Sequence, residues 1–155
     1  MSKNKAHDPF VGSVKQLQKE QGEHHSNYYR GRHRVVMFDD KISALTLTSA
    51  STVTWTDLDV TAHVSADTIA VIVLLQVNDS GSAATNALIQ VRPNGSVDTV
   101  GHVVATAGYI NDQIIYAQGI CKVDTDKILE YQRTASGAGT LDAKIEVVGY
   151  IEQLS

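Results

Sequence analysis

Residues 21–38 read QGEHHSNYYRGRHRVVMF, and most of the side chains that could do chemistry in this chain stand there. His24, His25 and His33, with Glu23 or Asp39, carry donor atoms that zinc or nickel accepts. Adjacent histidines diverge on an extended chain and nothing in the run fixes a coordination geometry, so no metal site or cofactor is expected. The stretch YYRGRHR, residues 28–34, sets guanidinium groups beside phenol rings, a pairing that stacks on unpaired bases. Its charge is modest for a phosphate-binding tail, and the rest of the chain is acidic, so nucleic acid is not the expected partner. Asp57, Asp59 and Asp67, or Asp124 and Asp126, could offer oxygens to calcium, but their spacing matches no calcium loop and suits solvated turns.

Catalysis finds little support. A nucleophile needs a base within hydrogen-bond reach and a third group to orient that base. Four of the six histidines lie within the first 33 residues, away from any pocket a sheet could organise. The single cysteine, Cys121, shares the phase of Ile115, Ala117 and Val123, which points it into a core as a structural thiol. No phosphate-binding glycine loop, nucleophile elbow or zinc-protease motif occurs, and no enzymatic role is expected.

The charge divides sharply along the chain. Residues 1–34 hold seven cations against three acids, a net +4, leaving six against fourteen, a net −8, in the rest. With 155 residues, 43% of them hydrophobic, the chain suffices for one ordinary domain. Only 19% are charged, low for a fully solvated surface, and partners are expected to cover part of it. One cysteine excludes an internal disulfide framework, and the first apolar pair, Phe10–Val11, is too short for a signal core. No apolar run approaches the roughly 20 residues that span a bilayer as a helix. The expectation is a soluble protein made in a reducing compartment, with no membrane partner.

From Arg34 onward the pattern is short apolar runs broken by turn residues. Strands are expected at 34–38, 43–48, 52–60, 68–77, 86–92, 99–106, 113–123, 127–133 and 141–151, rich in Val, Ile, Thr and Tyr. No helical period separates them, which favours an antiparallel β-sandwich. In LDAKIEVVGYI the residues Leu141, Ala143, Ile145, Val147 and Ile151 form a dry phase, with Tyr150 on the wet one. In TIAVIVLLQV both phases are largely apolar, as for a covered central strand or one facing another subunit. Asn94–Gly95 signals a hairpin between two strands. The apolar phase of TVTWTDLDV slips between Trp55 and Leu58, implying a bulge near Thr56 and Asp57, with Trp55 in the core beside Val53.

The chain therefore divides into an extended basic arm, residues 1–33, with a short helix at 13–22, and a sandwich, residues 34–155. Ordering an extended segment costs roughly 1–2 kcal/mol per residue, so contacts with a partner must offset that loss. Arg30, Arg32 and Arg34, on one side of an extended chain, can pair with carboxylates on a partner, and His33 belongs to the same basic run. Phe10, Leu17, Tyr28 and Tyr29 supply apolar anchors between them.

Residues 50–152 carry a pattern of TWTDLDV, an apolar strand, ALIQVRPNGS and a closing VVGYI. This resembles the jelly-roll-like β-sandwich domains of tailed-bacteriophage structural proteins, among them capsid decoration (cement) proteins and head or tail fibres. The resemblance implies an all-β, jelly-roll-like body without catalytic residues. It further implies assembly as a homo-oligomer, typically a trimer, on the virion surface after synthesis in the host cytoplasm. The expected partner is the major capsid protein, with the arm crossing to neighbouring capsomers. The alternative is a fibre or receptor-binding module that recognises host surface glycan.

Overall fold

The computed structural model describes residues 32–80, 87–107, 113–135 and 140–154. The chain divides into one unit of Met1–Arg32 with Leu154–Ser155 and a second of His33–Gln153. Of the first unit Arg32 and Leu154 are described, and the Leu154 amide donates to the Arg32 carbonyl at 2.8 Å. The expected arm and its helix at 13–22 otherwise lie outside the described residues.

Among the described residues of the second unit, β-branched residues in period two produce eight strands. These are β1 (His33–Ala50), β2 (Val53–Asp59), β3 (Thr68–Asp79), β4 (Ala87–Pro93), β5 (Val103–Ala107), β6 (Ile115–Lys122), β7 (Ile128–Thr134) and β8 (Leu141–Gln153). They form two four-stranded sheets, in order β1-β8-β3-β6 (sheet A) and β2-β7-β4-β5 (sheet B). Every pairing is antiparallel. Eight strands in two sheets of this order make a jelly roll, two Greek keys folded on one another. The expected all-β sandwich is the observed fold.

The core lies between the sheets. Val71, Val73, Leu75 and Val77 of β3 are fully buried, as are Ile89 and Val91 of β4, Leu129 of β7 and Ile145 and Val147 of β8. Burying each such side chain contributes about 1.5–3 kcal/mol. Cys121 sits among them at 0% exposure, as its phase predicted.

Four local expectations are corrected. Residues 39–42 do not interrupt β1, because the chain stays extended and absorbs Phe38–Lys41 as a bulge between the Met37–Gly149 and Ile42–Val147 pairs. In β8 the register against β3 shifts after Val147, so Gly149 pairs with Ile72 and Tyr150 with Val71. That extra residue turns Tyr150 toward the core, where it meets Phe38 edge-on at 5.8 Å, and moves Ile151 to the outer side. In β2 the slip falls between Val53 and Thr56, earlier than the apolar pattern suggested. Trp55 therefore lies within the bulge and on the outer face of sheet B, where the Arg92 guanidinium stands 4.0 Å from its ring centroid.

The fourth correction concerns the hairpin. Asn94 and Gly95 do turn the chain, with Gly95 at φ 70° and the Ser96 amide donating to the Pro93 carbonyl. Pairing with β4 resumes only at Val103, not at residue 99, and the loop between holds Val97 and Val100 exposed.

Candidate interaction surfaces

Five of the predicted partner-binding residues, Phe10, Leu17, Tyr28, Tyr29 and Arg30, lie outside the described residues. Arg32 is exposed just before β1, and His33 and Arg34 are exposed within it, opposite Gln153 and Glu152 of β8. The Arg34 guanidinium pairs with the Glu152 carboxylate at 2.5 Å. Glu152 is 4% exposed and also accepts from the Ser65 hydroxyl at 2.8 Å. Of the arginine track, Arg34 thus has its head engaged by the sandwich itself. Its side chain is largely exposed, so the pair adds modestly to stability and chiefly orients the start of β1.

The outer face of sheet A is unusually apolar. One cross-strand row runs Met37, Gly149, Ile72, Ile120, and the next runs Val35, Ile151, Ala70, Lys122. Ile72 and Ala70, in the middle of the sheet, are buried. Gly149 lets β1 approach closely in this row: a Cβ there would strike the Val36 carbonyl and the Met37 backbone and thioether. At the two edges the side chains stay open, Val35 and Met37 at 57% on β1, Tyr116 at 55% and Ile120 at 56% on β6. Glu146 belongs to this face yet is buried, because Lys41 of the β1 bulge reaches over it with Nζ 2.8 Å from Oε2.

The outer face of sheet B is polar by contrast. Arg92, 11% exposed in its side chain, pairs with Glu130, 15% exposed, at 2.6 Å and donates to the Asp98 carbonyl. Beside it the Gln90 amide donates to Gln132, and the Gly101 amide donates to Gln90. Trp55 is half-buried here, with one ring face taken by Arg92.

Reactive groupings are few among the described residues. In the loop after β4, Ser96 donates to Asp98 and His102 Nε2 lies 3.0 Å from the same carboxylate. Hydrogen bonds from His102 and Ser96 hold the Asp98 carboxyl below its ordinary range. The carboxylate stands between serine and histidine, so the imidazole is not bonded to the hydroxyl, and the arrangement is that of a loop brace. Asp124 accepts from the Asn94 side chain and from the amides of Asp126 and Ile128. These bonds, Asn94 first, lower its pKa and spend the oxygens a cation would need. Burial pushes the Cys121 thiol up to about 12, which leaves it protonated and inert. Among the described residues no three His, Cys, Asp or Glu side chains gather as a metal site, and no helix is long and apolar enough to cross a membrane.

Fold and surfaces together define an acidic jelly-roll β-sandwich with one apolar and one polar sheet face. The chain matches no protein-family model and none of the curated proteins with which it was compared. The exposed edges of sheet A went unread in the sequence, although a signal was there. In QIIYAQGICK the phase opposite Cys121 holds Ile114, Tyr116 and Ile120, three large apolar residues where an edge strand needs none.

Proposed function

We propose that the chain is a virion structural protein, a capsid decoration protein of a tailed bacteriophage. It binds the lattice of the major capsid protein and joins neighbouring capsomers through its basic N-terminal segment. The observation that carries this reading is an acidic eight-stranded jelly roll whose edge strand β1 continues directly from a segment of opposite charge. Such a segment suits an acidic track on a partner, where Arg30 and Arg32 pair with carboxylates and Phe10, Leu17, Tyr28 and Tyr29 anchor. The protein acts as a homo-oligomer, a trimer by the resemblance of its body. Several segments then attach at once, and each contact after the first is intramolecular, so weak segments give tight attachment.

Adding the full chain to empty shells of the cognate major capsid protein and imaging them tests the reading. Extra density at symmetry-related lattice points is expected; shells that acquire none would overturn it. A second reading, a fibre module that recognises host glycan, is favoured by Trp55 lying on an outer sheet face beside Glu130 and Gln132. The guanidinium over that indole takes one face a sugar would stack on, which weighs toward the first reading. Sugar-specific binding on a glycan array, abolished by Trp55→Ala, would favour the second.

A further inference from the structure

We propose that copies of this chain associate through the two edges of sheet A, the β1 edge of one copy packing on the β6 edge of the next. The inference rests on the fold alone and supplies a surface for the oligomer of the capsid reading; either can fail without the other. Both edges end the same apolar row, with Met37 on β1 and Ile120 on β6, each more than half exposed. They are three strand spacings apart, about 14 Å, so one flat partner patch does not fill both ends alike.

Charge decides which edge meets which. Beside Met37 stand the exposed carboxylates Asp39 and Asp40, and beside Ile120 stands the exposed Lys122. Joining like edges would oppose acid to acid at one contact and lysine to lysine at the other. Joining unlike edges sets Met37 against Ile120 and Tyr116 and puts the edge that carries Asp39 and Asp40 beside the one that carries Lys122, so the repulsion between like edges disfavours the wrong pairing. The basic N-terminal segment is a poorer occupant for the β6 end, where Lys122 would repel it.

The strand edges point the same way. β6 pairs with β3 without a register shift from Ile115 to Lys122, whereas β1 and β2 are bulged and β5 has five residues. Sheets ordinarily protect an exposed edge with bulges, charges or brevity, and β6 carries only Lys122 at its end.

The test uses the full 155-residue chain and two variants, Met37→Lys and Ile120→Lys, with light scattering and native mass spectrometry at micromolar concentration. Cooperative melting and an unchanged circular dichroism spectrum verify that the variants fold. The parent is expected to be a closed oligomer and each variant alone a monomer. Mixed in equal amounts, the variants retain one intact edge pair between them and are expected to form a one-to-one heterodimer. A monomeric parent, a folded variant that still self-associates, or a mixture of folded variants that stays monomeric would each overturn the proposal.

Discussion

Replacing Arg92 with alanine is expected to destabilise the sandwich by about 3 kcal/mol, because it leaves a nearly buried carboxylate without its partner. The Arg92 guanidinium is 2.6 Å from Glu130, bonded to the Asp98 carbonyl, and stacked over Trp55. Truncation removes all three contacts and strands the Glu130 charge among the strands of sheet B. The cation–π contact adds up to about 2 kcal/mol where the ring is desolvated. Lysine is no substitute, since a point charge on a flexible stem has neither the flat face nor the fork that the site uses. If burial of an unpaired charge is the cause, the double variant Arg92→Met, Glu130→Met should recover most of the loss, despite two substitutions. Urea unfolding of the parent, the single and the double variants measures this. A single variant within about 0.5 kcal/mol of the parent would show that solvent screens the pair as it does at ordinary surfaces.

The second large effect is expected in the core. Leu75 lies fully buried on β3, the third strand of sheet A, between Ile145 of β8 and Ala117 of β6. Leu75→Ala removes apolar contacts and leaves a void that rigid neighbouring strands cannot collapse into, a loss of about 3–4 kcal/mol. For a body of this size that corresponds to a melting point lower by roughly 10 °C. Leu75→Met keeps the volume and should stay within about 1.5 kcal/mol. The neighbouring Leu74 is the internal control: it is half-buried on the outer face, so Leu74→Ala should lose clearly less. Equal losses at 74 and 75, or a larger one at 74, would contradict the assignment of faces in β3.

What the sequence disclosed and what it withheld have one physical origin. Period-two patterning is a local property, so β3 and most of β8 were legible: Val71, Val73, Leu75 and Val77 face in, as do Leu141, Ala143, Ile145 and Val147. A bulge is a property of two paired strands, and wherever one occurs the phase read from a single strand goes wrong. Trp55 and Tyr150 take the faces opposite to those their phases suggest for this reason, Trp55 lying within one slip and Tyr150 just beyond another. The same holds for Phe38–Lys41, where an Asp-Asp-Lys run suggested a break and β8 keeps the chain extended around a bulge. The expected partner-binding residues rest on charge and aromatic content in the first 34 residues and not on strand pattern. Of these, Arg34 has a pairing partner in the sandwich itself, Glu152, which no local pattern could announce across more than a hundred residues.

The proposed attachment to a capsid requires the basic N-terminal segment to hold the acidic body to foreign protein. A chain lacking residues 1–30 tests this directly, since it keeps β1 from His33 and the Arg34–Glu152 pair. The shortened and full chains would be titrated against empty shells of the cognate capsid protein and their occupancies counted per lattice site. Occupancy of the shortened chain is expected to fall at least tenfold at the concentration that saturates the full chain, a change worth about 1.4 kcal/mol or more. Superimposable titrations of the two chains would contradict the account.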